Sequence, residues 1–192
     1  FSFNKGPVAY VDVQTGLTSA GPVLGVTNVQ STDPGSETLA RTDNGSMIWN
    51  LPVETMDFGL SGVDIFVGYA DGLDALVTDG DLTKAELEGI GAIGATLNNA
   101  SLGLTYMRSI APELLAAQLS FTALQADATD VGLIGIPGFK LAANNLQVRL
   151  NQGSSTFSLV LGQSPPVVDF VASFGAGGYE VDTDTSGSTK AL

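Results

Sequence analysis

Apolar and polar residues alternate along much of the chain. In "PVAYVDVQTGL" the alternation sets Val8, Tyr10 and Asp12 on one face and Ala9, Val11 and Val13 on the other. "VDIFVGYA" places Val63, Ile65, Val67 and Tyr69 together, and "SLGLTYM" does the same for Leu102, Leu104 and Tyr106. "NLQVRLN" aligns Leu146, Val148 and Leu150 against Gln147 and Arg149, and "STFSLVLG" aligns Phe157, Leu159 and Leu161. A period of two is the strand period, so these segments predict half-buried strands.

Three segments share more than the period. Read from a leucine, "LSGVDIFVGY" (Leu60), "LNNASLGLTY" (Leu97) and "LAANNLQVRL" (Leu141) each run through a small or polar stretch to a polar residue at offset four. Apolar residues then follow at offsets five, seven and nine. "ADATDVGLIG" from Ala126 is a weaker copy that matches at Val131 and Leu133. The starts lie 37, 29 and 15 residues apart, whereas a strict solenoid keeps its period. The pattern predicts a repeated strand–kink–strand unit, with the small polar stretch as a bulge. It also predicts that Ile65, Val67, Leu102, Leu104, Leu146 and Val148 face one core. An ordinary half-buried strand after a turn gives the same signature, so the repeat is one of two readings.

Helix signals are few. "TKAELEGIGA" offers Thr83 as a cap with Glu86 three residues on, a capping-box pattern. "APELLAAQL" opens on Pro112 in its first turn and carries Leu114, Leu115 and Leu119. "QSTDPGSE", "RTDNGSM" and "GIPGF" read as turns. In "QSPPVV" neither Pro165 nor Pro166 donates a backbone hydrogen bond, which excludes a central strand. Residues 1–174 are therefore expected to form one β-rich domain. Residues 175–192, "GAGGYEVDTDTSGSTKAL", are expected to be a linker or tail, or an edge strand around Tyr179 and Val181; removal of 186–192 is expected to leave stability unchanged.

Composition narrows the class. The chain has 192 residues, 44% hydrophobic and only 14% charged, with 24 glycines. That is enough apolar material to fold around a core. Seven basic residues against twenty acidic ones leave a net charge of −13. Such a surface repels nucleic-acid phosphates and anionic membranes. With no cysteine and no histidine, disulfides and thiolate or imidazole metal sites are excluded, and so is the commonest general base. No apolar run reaches the roughly 18 residues a membrane helix needs, so membrane insertion is not expected. Phe1 is not an initiator methionine, which suggests a processed chain or a piece of a longer one.

The richest candidate chemistry is "DGLDALVTDGDLTKAELEG". With Glu86 at position twelve of an EF-hand loop, Gly80 falls at six, Asp79 at five and Thr83 at nine, but Ala75 and Val77 occupy ligand positions one and three. A standard loop is excluded. Two readings remain: a solvated acidic turn in which Thr83 caps a short helix, or a non-standard calcium site drawing on Asp71, Asp74, Asp79, Asp81 and Glu86. Paired carboxylates for acid–base work would be Asp127 with Asp130, or Glu54 with Asp57, and nothing in the sequence lifts either pair above a surface loop. The "GSSTF" serines lack a nucleophile elbow. Gly89, Gly91 and Gly94 match G-x-G-x-x-G, but no βαβ pattern surrounds them. Trp49 and the other aromatics sit on strand-like faces, where core roles outnumber carbohydrate platforms. An enzyme is not expected.

One stretch carries a resemblance. "LNNASLGLTYMRSIAPELLAAQLSFTALQADATDVGLIGIPGFKLAANNLQVRLNQG" orders an apolar strand, an insertion, "FTALQADATDVGLIGIPGF" and a strand ending "LQVRLN". In that order it resembles repeat modules of very large bacterial surface or secreted proteins, the kind that also carry RTX or cadherin-like calcium-binding repeats. The likeness covers about a third of the chain and carries over no functional residue. It implies an extracellular, all-β, repeat-type module with a structural or adhesive role. The sequence thus predicts an all-β fold, a mainly antiparallel repeat-built sheet (sandwich or elongated and solenoid-like) with one or two short helices in insertions. Its expected partners are neighbouring modules, copies of itself or surface glycans. The alternative is a β domain that binds a carbohydrate or an apolar ligand.

Overall fold

The computed structural model describes residues 1–16, 39–41, 46–73, 83–135, 142–155, 165–184 and 187–192. The fold is all-β with short helices, and every strand pairing described is antiparallel. One large sheet has the order β7–β6–β5–β4–β2–β8. Its long members are β4 (Met47–Tyr69), β5 (Ile93–Ser109), β6 (Ser120–Ile134) and β7 (Ala142–Ser154), a simple meander. Along the other edge of β4, β2 (Ala9–Gln14) and then β1 (Ser2–Lys5) pair in turn, and β3 (Ala40–Arg41) meets β4 at Ile48 and Trp49.

The sheet curls until it nearly closes. β8 (Val167–Val168) pairs with β2, and the Asn151 Nδ2 of β7 donates to the Val168 carbonyl at 2.7 Å. The two prolines just before β8 explain why this seam is short: they supply no ladder donors. At the other end the sheet is open, since β4 beyond Leu60 pairs only with β5 among the described residues.

The long strands bend along a line of local irregularities. The β4–β5 register shifts at Leu60/Val63 and Val63/Ile65, and Gly62 takes φ 63°. Asn99 in β5 and Asn145 in β7 also have positive φ, 48° and 57°. Glycine and asparagine are the residues that tolerate this region. The three leucine-led units each carry such a residue in their small polar stretch, and at the first a register shift marks a bulge; the Ala126 copy shows neither.

Burial follows a different rule from the one expected. The main core consists of Val11, Val13, Ile48, Leu51, Val53, Met107, Leu114, Leu119, Phe121 and Val168 with Ala111 and Ala117. A second, smaller cluster joins Leu87, Ala92 and Ile134 to Phe66 at the open end. The residues at offsets five, seven and nine do share one face, but it is the outer one. Of the six expected in the core, Val67, Leu146 and Val148 are exposed, and Ile65, Leu102 and Leu104 are only half-buried. Their strand neighbours Gly103, Thr105 and Met107 point inward and are buried.

Of the alternatives for residues 175–192, the structure shows the strand around Val181. Within residues 175–192, β9 (Glu180–Asp182) and β10 (Thr189–Ala191) form a hairpin that lies against the inner face of β4 and β5. Val181 is fully buried and Thr183 nearly so. Two glycines make room for it: a methyl at Gly59 would overlap the Asp182 carbonyl, and one at Gly103 would press on Lys190 and Val181. Upstream, α2 (Phe170–Phe174) is capped by Asp169, whose Oδ1 accepts from the Ala172 N–H at 3.0 Å.

Local signals held up well. The helix α1 (Lys84–Gly89) begins with the predicted capping box. The Thr83 N–H donates to Glu86 Oε2 at 2.8 Å, and the Glu86 N–H donates to Thr83 Oγ1 at 3.3 Å. Thr83→Ala should cost about 1 kcal/mol in chemical denaturation; no change would show that α1 adds nothing to the fold. The Pro112 segment forms a 3-10 helix, Pro112–Ala117, with Leu114 buried and Leu115 exposed. No helix among the described residues is long and apolar enough to cross a membrane.

Candidate functional site

Two surfaces of the sheet differ in chemistry. The inner face beneath the hairpin is polar. Thr105 Oγ1 donates to Asp57 Oδ1 at 2.6 Å, and the Tyr179 hydroxyl donates to Asp57 Oδ2 at 2.9 Å with Thr55 Oγ1 3.3 Å away. Thr55 and Thr105 are fully buried. Nearby, Lys190 Nζ donates to Ser101 Oγ at 2.9 Å and forms an ion pair with Asp127, while Ser101 Oγ donates to Asp127 Oδ2 at 2.9 Å. These groups tie hairpin to sheet. Each acid has its partners within the protein, as the buried Asp57 must.

Tyr179 couples this cluster to pH. Its ring packs on Phe174, with centroids 5.0 Å apart. Burial, reinforced by the Asp57 carboxyl against the opposing pull of Thr55, pushes its phenol up to about 12 from the usual 10. In the unfolded chain the phenol ionises near 10, so the folded state binds the proton longer. The stability this group contributes is whole below pH 10 and is lost as pH climbs from 10 through 12. Tyr179→Phe should therefore lose about 1–2 kcal/mol at pH 7 with the hydrogen bond, yet fall less steeply than the wild type between pH 10 and 12. Parallel slopes in denaturation at the two pH values would remove Tyr179 from this role.

The outer face of β4–β7 is apolar. Register aligns cross-strand rows such as Phe58–Leu104–Leu124–Leu150 and Leu60–Leu102–Ala126–Val148. At the bend the face is concave and holds a cleft of about 170 Å³, walled by Leu60, Ile65, Leu97, Leu102, Leu146 and Val148. Such a cleft suits an apolar group and offers little to a sugar.

Of the sequence-derived metal set, Asp71 and Glu86 fall among the described residues. Asp71 follows β4 and its Oδ1 accepts from the Tyr69 hydroxyl at 2.6 Å, a bond that raises the Tyr69 phenol. Glu86 serves the α1 cap, and its hydrogen bonds from Thr83 hold its carboxyl below the usual range. Asp74, Asp79 and Asp81 lie outside the described residues. Among the described residues no three acids gather as an ion site.

The members of each candidate carboxylate pair lie in different surroundings. Glu54 sits at one end of the outer face between Arg108 (3.1 Å) and Lys5 (3.7 Å), whereas Asp57 points inward to the hairpin. Asp127 is bound to Ser101 and Lys190, while Asp130 is exposed opposite Asn98. Ser155 is buried and donates to the Ala117 carbonyl at 3.4 Å. Trp49 is half-buried across from Ala40.

Sequence reasoning singled out Asp57 and Asp127 but missed their partners in the inner polar cluster, Thr105, Tyr179, Ser101 and Lys190. Their only sequence trace is the run of small and hydroxyl residues, Gly59, Gly103 and Thr105, alternating with the leucines. Comparison with protein-family models, with curated proteins and with solved structures gave no match.

Proposed function

We propose that the chain is a non-enzymatic structural or adhesive module of a bacterial surface or secreted protein, stabilised by calcium and meeting neighbouring modules or copies of itself. The observation that carries this reading is the use of the buried and half-buried polar groups beneath the hairpin. Asp57, Thr105 and Tyr179, and Ser101, Asp127 and Lys190, are bonded to one another and hold the hairpin in place. A catalytic pair needs a carboxylate facing substrate, and these acids face the protein's own side chains. The likeness to repeat modules of large surface proteins and the acidic, cysteine-free composition point the same way.

Two measurements test it. On intact cells that express the protein, antibody against it and added protease should both reach it without lysis; detection only after lysis overturns the location. In thermal unfolding, calcium should raise the midpoint more than sodium at equal ionic strength, because an ion that binds only the folded state stabilises it. Asp79→Ala with Asp81→Ala should abolish the difference. Equal effects of the two salts remove calcium from the reading. A second reading, an apolar-ligand-binding β domain, is favoured by the cleft between Leu60 and Val148.

A further inference from the structure

We propose that the outer face of β4–β7 is the contact surface of a homodimer, in which two copies of this chain pack sheet on sheet. The inference deepens the reading of a module that meets copies of itself and rests on that partner class. It does not depend on where the protein resides.

The face has the composition of a covered surface. Between the Met56–Tyr106 row and the Tyr69–Ile93 row, strand register places no charged side chain on it in a chain of net charge −13. Yet Val67 and Tyr69 are both 65% exposed, and Val148 and Leu150 are 47% and 44% exposed. A monomer's ordinary surface carries isolated apolar residues; a continuous apolar sheet face marks an interaction site. The alternation that dominates the sequence is spent on this face, and a one-residue slip would turn it inward. The register fixes it outward.

Size and charge select the occupant. Four strands at about 4.8 Å spacing and roughly 13 residues at 3.3 Å give a face of roughly 820 Å², close to the ~800 Å² per partner of a stable interface. The charged residues Lys5, Glu54 and Arg108 stand at its end as a rim of both signs, so a copy of the same rim does not meet like charge alone. A lipid surface fits less well: β4 beyond Leu60 has an edge unpaired among the described residues, and hydrocarbon does not tolerate open sheet edges. Two like sheets stacked about 10 Å apart satisfy the apolar face without that cost. A two-fold axis closes such a pair.

Sedimentation equilibrium across the micromolar range tests the proposal. The wild-type chain should show twice the monomer mass. Val67→Glu and Val148→Glu, one on each side of the bend and both exposed in the monomer, should raise the dissociation constant roughly 100-fold or more by burying an unpaired charge, with circular dichroism unchanged. A wild-type chain that stays monomeric, or a dimer untouched by folded glutamate variants, overturns it. So does a monomer that floats with phosphatidylcholine vesicles, which would assign the face to lipid. Because the chain has no cysteine, Val148→Cys supplies a second reading without a charge: its alkylation should slow as protein concentration rises. A concentration-independent rate overturns the proposal.

Discussion

Val181→Asp should lower the thermal midpoint by roughly 10 °C, although Val181 lies only eleven residues before Leu192. The side chain is fully buried between the hairpin and the sheet. Gly103 sits beneath it, leaving no space into which a carboxylate could turn. An unpaired buried charge costs about 3–5 kcal/mol, and about 2–4 °C follows each kcal/mol in a domain of this size. The alternative is for the hairpin to lift off. That would free Asp57 from Tyr179, Asp127 and Ser101 from Lys190, and Ser61 from Asp184. Truncation after Gly178 should give a loss of the same order by removing all of these contacts together. Midpoints within error of the wild type in both variants would return residues 175–192 to the linker role that their composition suggests.

The contrast with that composition shows what the sequence can carry. A capping box is decided within four residues, so Thr83 and Glu86 could be read directly, and so could the kinks at Gly62, Asn99 and Asn145. Alternation correctly grouped Leu102, Leu104 and Tyr106 with Leu146, Val148 and Leu150. It states which residues share a face, and nothing in it states which face is covered. The inner face is built from Gly59, Gly103, Thr105 and Ala123, which look weakly apolar, because a hairpin some 120 residues further along than Gly59 fills the space above them. "GYEVDTDTSGSTKAL" looks like a tail because its stabilising partners, Asp57, Ser101 and Asp127, are remote in sequence. Of the acids of residues 71–86, Glu86 is engaged by its own helix cap, a role the capping-box pattern also announces.

The two faces of β6 allow a direct measurement of where the core lies. Phe121 and Leu124 are three residues apart and both apolar, and the leucine belongs to the rows that the sequence pattern favours. Phe121 is 2% exposed, stands opposite Met107 and belongs to the main core. Leu124 is half-buried on the outer face opposite Leu104. Phe121→Ala should therefore cost about 3–5 kcal/mol, because both the transfer energy and the cavity left behind count. Leu124→Ala opens no closed cavity in the monomer, and its loss should be about 1 kcal/mol. Denaturation of dilute protein, where the monomer dominates, keeps any contact between copies out of the comparison. At high concentration the Leu124→Ala cost should grow, since the dimer buries that face, while the Phe121→Ala cost should not. Equal costs for the two substitutions in dilute solution would mean that the outer face is already buried within one chain, and that the core has been assigned to the wrong side of the sheet.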